Sequence, residues 1–140
     1  PALTDWGAQI AFWKIAIKPG KPLLVATRGS QVLLGLPGNP VSSFVTALLF
    51  ALPLIRASQG DPDPLPKPET LRAGEDLPAV GARREFLRAV RDGDHVRLAG
   101  SQDSSALSAL AEADCLIDRP AHSPALNAGA PVPVFKLQNG

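Results

Sequence analysis

The sequence predicts an α/β segment joined through a proline-rich linker to a small all-β unit, a barrel or a sandwich. Three observations carry this expectation. Pro and Gly number 15 and 12 among 140 residues, about a fifth of the chain, which favours short strands and turns without reaching low complexity. The stretch Asp61-Pro62-Asp63-Pro64-Leu65-Pro66-Lys67-Pro68 holds four prolines in eight residues. Such a run excludes helix and tends toward extended linker geometry. Hydrophobic patterning also changes across that run. Before it lies one long apolar helix, and after it come several short strands punctuated by turns.

Each element has a local reason. Residues 3–9 read as the end of a helix. Residues 12–18 alternate loosely and read as one strand, stopped by Pro19-Gly20. Residues 23–27 and 31–36 read as a hairpin turning at Arg28-Gly29-Ser30. Asn39-Pro40 is a helix start, with Asn as N-cap and Pro at the first helical position. That helix is expected from Pro40 to about Ser58, closing near Gly60 and kinked or ended by Pro53. It is apolar almost all round, so burial on most sides is expected. Residues 69–73, 84–91, 95–99, 115–117 and 132–137 read as strands, with Asp92-Gly93-Asp94 as a hairpin turn. Residues 104–113 read as one or two helical turns, capped by Asp103 or Ser104.

Composition removes several function classes. The formal net charge of +1 excludes a grossly basic nucleic-acid binder. A lone cysteine, Cys115, excludes an intrachain disulfide framework and a Cys-rich zinc module, and its apolar neighbours predict a buried thiol. The longest uncharged apolar run, 41–55, is shorter than a bilayer span of ~20 residues and is interrupted by Pro53, so no membrane partner is expected. The chain starts at Pro1 and contains no Met, which predicts a piece of a longer protein. Charge is split along it. Residues 1–60 carry Lys14, Lys18, Lys21, Arg28 and Arg56 against Asp5 alone, whereas residues 61–140 are net acidic. An anionic ligand therefore belongs to the first part.

Two sites there suit an oxyanion. Lys18-Pro19-Gly20-Lys21-Pro22 sets two lysines around a turn at a strand end. They are either a fixed pair of cations for a phosphate-like group or ordinary solvated lysines. Gly35-Leu36-Pro37-Gly38-Asn39-Pro40-Val41-Ser42-Ser43 leads a loop into a helix whose first amides lack intrahelical partners. It is either an anion site or plain capping. It is not a P-loop, because the Gly-Lys-Ser/Thr ending is absent. In the second half, Arg84, Phe86 and Arg88 share one strand face, so Arg84 and Arg88 either contact a ligand or sit in salt bridges. Trp6 and Trp13 are expected as core or interface anchors. Neither His95 nor His122 has a companion at metal-ligand spacing, and residues 1–60 hold no carboxylate cluster.

The run from Ile10 to Pro22, containing Phe12-Trp13-Lys14-Ile15-Ala16-Ile17-Lys18-Pro19-Gly20-Lys21-Pro22, followed by Gly35-Leu36-Pro37-Gly38-Asn39-Pro40-Val41-Ser42, closely resembles the molybdopterin molybdenumtransferases. This is the MoeA family, to which the E domain of gephyrin is related. Arg84-Glu85-Phe86-Leu87-Arg88 and residues 102–115 resemble the same family's C-terminal domain. The resemblance covers essentially the whole chain but only about the last third of a family member. It implies that residues 1–60 end an α/β three-layer, molybdopterin-binding-like domain, that 61–68 are the linker, and that 69–140 form the C-terminal β-barrel. It implies Mg²⁺-dependent insertion of molybdate into adenylylated molybdopterin with release of AMP, by a cytoplasmic homodimer. Lys18 and Lys21 would be the catalytic cations. Pro37, Gly38, Asn39, Pro40 and Ser42 would bind substrate with Arg84, Arg88 and Ser104. The family's upstream acidic motif of Thr-Gly-Asp-Glu type is absent, so Mg²⁺ ligands are expected outside this chain and turnover is not expected from it alone. The family's Gly-Ser element appears here as Asp103-Ser104. The alternative is a non-enzymatic anion-binding or scaffold module of the same fold.

Overall fold

The computed structural model describes residues 2–103 and 107–137. A short helix α1 (Ala2–Asp5) leads into β1 (Gln9–Phe12), then β2 (Ile17–Lys18), β3 (Leu24–Arg28) and β4 (Gln31–Gly35). A helical stretch follows as α2 (Pro40–Thr46), a π-turn (Ala47–Ala51) and α3 (Leu52–Ser58). After the linker come β5 (Glu69–Ala73), β6 (Arg84–Asp92), β7 (His95–Leu98), α4 (Leu107–Glu112), β8 (Cys115–Arg119) and β9 (Pro131–Lys136).

The strands form two sheets. β1, β3 and β4 make a small antiparallel sheet in the order β1-β3-β4. The other sheet runs β2-β6-β7-β5-β9-β8, and β8 pairs back onto β6. That last pairing closes a five-stranded barrel of β5 to β9, which leaves none of these strands a free edge along its whole length. The small all-β unit is therefore a barrel and not a sandwich. Both expected hairpins form two-residue turns. Arg28 pairs with Gln31 and Asp92 with His95, and Gly29 and Gly93 take φ of 56° and 62°.

β6 serves two cores because successive side chains point to opposite faces. Leu87 and Ala89 face the barrel interior with Leu71, Val96, Ile117, Val132 and Val134. Phe86 and Val90 face outward and pack with Ile17, Val45, Leu116 and Phe135 beneath the helical stretch, where Leu48, Leu49 and Phe50 join them. The helix thus lies on the outer wall of the barrel. Its other side, with Phe44, Leu52 and Ile55, stays exposed, contrary to the expectation of burial on most sides. By length and composition the stretch Pro40–Ser58 is long and apolar enough to cross a membrane. Here one of its faces is spent on the barrel.

Two further expectations change. Residues 12–18 are not one strand. Gln9–Phe12 pairs with β3 in the small sheet, whereas Ile17–Lys18 runs parallel to β6 in the barrel sheet. Trp13 to Ala16 is the crossing between sheets, held at Ile15 N–H by the Lys21 carbonyl at 3.0 Å. At Pro53 the helical stretch continues, but its regular part is interrupted, which is one of the two expected outcomes. The preceding turn widens to a π-turn in which Leu52 N–H reaches the Ala47 carbonyl. A proline lacks the amide for the regular bond and its ring crowds the carbonyl four residues back, so one wide turn accommodates it. Trp6 and Trp13 are 45% and 63% exposed, so neither is a core anchor. Arg28 lies over the Trp6 ring, 4.1 Å from its centroid.

Cys115 is buried in the barrel, as expected, and its thiol donates toward the Ala89 carbonyl at 3.4 Å. Burial, aided by Asp114, pushes its pKa up to about 12 from 9.0. The native thiol is therefore expected to resist alkylation at pH 8–9 and to react on unfolding, as followed by mass spectrometry. Above pH 9 the unfolded chain loses this proton while the folded one keeps it, so stability should fall as pH rises from about 9 to about 12. A Cys115→Ala variant lacks that contribution to the pH dependence, which denaturant titration across this range measures.

Candidate functional site

The parallel pairing of β2 with β6 places the lysine turn beside the barrel. Ile17 aligns with Arg84 and Lys18 with Glu85, and the Arg84 amide donates to the Ala16 carbonyl at 2.9 Å. Ile17 is 8% exposed and anchors the turn in the outer core. Burying such a side chain contributes about 1.5–3 kcal/mol. The turn itself is clamped at its far side. The Lys21 carbonyl accepts from both Ile15 N–H and Leu23 N–H, at 3.0 and 3.1 Å.

Gly20 is required at the tip. Its φ is +114°, and a Cβ there would fall 2.6 Å from Thr46 Cγ2 and 3.1 Å from Ile17 Cδ1. The lysine turn is thus pressed against α2 at Thr46, a fully buried residue whose hydroxyl donates to the Ser42 carbonyl at 2.8 Å. The Lys18–Pro19 peptide is cis.

A cleft of about 490 Å³ opens where the turn, α2 and the barrel meet. Its walls are Lys18, Lys21 and the intervening Pro19-Gly20 on one side and Ser42 on another. Arg83, Gln102 and Asp103 come from the barrel unit. Lys18 Nζ donates to Glu85 Oε1 at 3.2 Å. With the lysine side chain half exposed, that pair adds little stability and mainly fixes where the ammonium sits. Lys21 and Arg83 make no ion pair among the described residues.

The Gln102-Asp103 wall is built from behind by Arg88. That side chain is 1% exposed, and its Nη2 donates to the carbonyls of Ser101 and Asp103, both at 2.9 Å. Gln102 completes the brace: its Oε1 accepts from Arg88 N–H and its Nε2 donates to the Arg88 carbonyl, each at 2.9 Å. Burial pulls the Arg88 pKa below its usual value, partly offset by Asp103. Among the described residues its Nε lacks a hydrogen-bond partner, as does Nη1 of the equally buried Arg119.

The sequence-expected residues therefore divide. Lys18, Lys21 and Ser42 share the cleft. Pro37, Gly38, Asn39 and Pro40 do not line it. Asn39 acts as a cap, its Oδ1 accepting from Ser42 N–H at 3.1 Å, and its carbonyl accepts from Ser43 N–H at 2.8 Å. These two amides are thereby occupied, so capping accounts for the helix start, and what Ser42 has left for the cleft is its hydroxyl. Arg84 also stands away from the cleft. It grips Asp118 through Nε and Nη2 at 2.7 and 2.5 Å, an interaction that raises its pKa. Arg88 is a brace beneath the wall. Ser104 lies outside the described residues, as does any cap at 104–106. Arg83 and Gln102 lie in stretches that the sequence marks as candidates, but neither is given a site role there. Arg83 lies in the bend just before β6, so strand alternation does not place it.

No group of three or more His, Cys, Asp or Glu side chains gathers among the described residues. The acidic groups nearest the cleft are Asp103, whose charge faces Arg88, and Glu85, which Lys18 engages. This set does not fit a Mg²⁺ site.

Residues 70–137 match the model of the MoeA C-terminal region (domain IV). Across 97% of its length the chain is 38% identical to the molybdopterin molybdenumtransferase of Synechococcus elongatus and 37% identical to the molybdenum cofactor synthesis protein cinnamon of Drosophila melanogaster. The chain belongs to the MoeA family. It spans 34% and 24% of those two proteins, and 30% of the Haemophilus influenzae molybdopterin molybdenumtransferase, to which it is 34% identical over 83% of its own length. The MoeA fold is shared with a molybdopterin biosynthesis protein of Pyrococcus horikosii, at a TM-score of 0.82 over 99% of this chain and 34% of that one, with 24% identity.

The contact of Gly20 with Thr46 makes this MoeA site sensitive to a single methyl group. Gly20→Ala is expected to cost about 2 kcal/mol, as overpacking and backbone strain do. Thr46→Ser removes the colliding Cγ2 and keeps the hydroxyl, so it should recover part of that loss. Urea unfolding of both single variants and the double variant checks this.

Proposed function

We propose that the protein carrying this chain is a molybdopterin molybdenumtransferase that inserts molybdate into adenylylated molybdopterin, releasing AMP, and that the cleft described above is its oxyanion-binding wall. The observation that supports this most directly is the convergence of Lys18 and Lys21 on one cleft with Ser42. Fixed ammonium groups and a hydroxyl suit tetrahedral oxyanions, whether molybdate or a substrate phosphate. The relatives' names set the substrate class, which concerns molybdopterin and the molybdenum cofactor.

The chemistry assigned to this chain is positioning and charge stabilisation. Lys18, oriented by Glu85, and Lys21, fixed through its own carbonyl, hold anionic groups where negative charge develops. Ser42 offers a hydroxyl from a helix turn locked by Asn39 and Thr46. Mg²⁺, where the reaction uses it, is held by residues outside this chain. We also infer a homodimer, for which the exposed apolar residues Trp13, Phe12 and Val32 supply surface.

Titration calorimetry with molybdate or tungstate at low salt tests the binding claim. Lys21→Ala is expected to weaken binding on the order of tenfold or more, the worth of one charge-assisted contact. Lys18→Ala with Lys21→Ala should abolish it, and raising salt should weaken the wild type. Retained binding in the double variant contradicts the site. For the reaction, the complete protein should release AMP from adenylylated molybdopterin. Substrate binding without AMP release favours the scaffold reading.

A further inference from the structure

We propose that Glu85 is a two-position carboxylate at the cleft: it holds the Lys18 ammonium in this structure and turns to the buried guanidinium of Arg119 when an oxyanion engages Lys18. Arg119 is then a positioning residue, which acts on the cleft through Glu85 without reaching it. The inference rests on the oxyanion reading above and deepens it with a means of adjusting the charge that Lys18 presents.

Register and burial carry it. Glu85 of β6 pairs directly with Arg119 of β8 in the antiparallel ladder. Both positions fall on the barrel-facing rows of their strands, Glu85 in line with Leu87 and Ala89, and Arg119 in line with Ile117 and Cys115. Side chains directly opposite on one face start about 5 Å apart at Cβ. Arg119 is 1% exposed, and its Nη2 donates to the Pro124 carbonyl at 2.6 Å. Its Nη1 is buried and lacks a hydrogen-bond partner among the described residues. A buried guanidinium nitrogen without an acceptor is destabilising. The adjacent carboxylate, Asp118, lies on the other face of β8 in the grip of Arg84. Glu85 is thus the carboxylate that the ladder presents to Arg119, and its charge already offsets part of the lowering of the Arg119 pKa by burial.

In this structure Glu85 makes its hydrogen bond in the other direction, with Lys18 Nζ at 3.2 Å. It also borders a side chamber of about 170 Å³ that shares Lys18, Pro19 and Gln102 with the cleft and is closed by Leu87 and Leu98. The chamber gives the carboxylate room to rotate. An oxyanion arriving at Lys18 places a second negative charge beside Glu85, and like charges so close repel. Turning to Arg119 relieves that repulsion and gives the buried Nη1 an acceptor. It also leaves the whole charge of Lys18 directed at the anion. The affinity of the cleft therefore depends on a residue that does not line it.

Titration calorimetry with molybdate at low salt compares the wild type, Arg119→Leu, Glu85→Gln and the double variant, with urea unfolding as the check that each folds. Arg119→Leu is expected to weaken binding on the order of tenfold, as loss of a hydrogen bond to a charged group does. Glu85→Gln removes the repelling charge, so in that background Arg119→Leu should change nothing. A loss in the Glu85→Gln background as large as in the wild type means a merely structural Arg119 and overturns the proposal, as does no loss in either. NMR of the arginine guanidinium N–H signals adds a readout that needs no anion and substitutes only the half-exposed Lys18. Lys18→Ala releases Glu85, so the Arg119 signals should shift as they do when molybdate saturates the wild type, while those of Arg91, paired with Glu69, stay in place. Unmoved Arg119 signals in Lys18→Ala overturn the proposal and leave the oxyanion reading standing. If the wild type binds no molybdate, the oxyanion reading fails, and the Arg119 signals of Lys18→Ala decide this inference by themselves.

Discussion

Two residues of parallel strand, Ile17 and Lys18, dock the first part of the chain onto the barrel, and the cleft exists because of that pairing. β2 and β6 meet over only Ile17–Arg84 and Lys18–Glu85, reinforced by the Arg84 amide on the Ala16 carbonyl. Hydrogen bonds of this kind contribute about 1 kcal/mol each, and the partly exposed Lys18–Glu85 pair contributes no more than that. Burial decides the balance. Ile17, Val45, Phe86, Leu116 and Phe135 form one apolar cluster between the helix and the barrel wall. The apolar contact supplies the energy of docking, and the short strand pairing supplies its register. A one-residue slip in that register would turn Ile17 out of the apolar cluster and take Lys18 away from Glu85.

The cleft also depends on buried charge that never reaches it. Arg88 sits under the Gln102-Asp103 wall with two backbone carbonyls on one nitrogen and a side-chain amide bridging its own backbone. A buried guanidinium is expensive to desolvate and tolerable only where acceptors surround it. Here those acceptors are the irregular backbone of the wall itself. Wall and arginine therefore stabilise each other, and the wall holds its shape without regular secondary structure.

Much of the architecture was legible because it is local. Asn39-Pro40 declares a capped helix, Asp92-Gly93 a tight hairpin, and the clustered prolines of 62–68 a stretch without helix or strand. Strands β5 to β9 follow from short apolar runs between turn residues. What was not legible depends on partners distant in sequence. Nothing local shows that residues 12–18 divide between two sheets, because both halves carry the same strand-like composition. Arg84 and Arg88 share a face as alternation requires. One meets Asp118 and the other the backbone at 101–103, and those meetings are set by barrel closure. The lysine pair was readable because Pro19-Gly20 fixes its turn locally. Arg83 was hidden because it lies in a bend before β6 and lines the cleft only once β2 is docked on the barrel.

Native-state hydrogen exchange at the Arg84 amide tests the docking most directly. This N–H has its acceptor, Ala16, across the junction and none within the barrel ladder. If the pairing of Ile17–Lys18 with β6 holds the cleft together, the Arg84 amide should exchange on the slow scale of barrel amides such as Ala99, which donates to Arg88. Exchange as fast as that of the amide of exposed Lys67, which has no hydrogen bond among those of the described residues, would contradict the account, because the lysine turn would then have no fixed place beside the barrel.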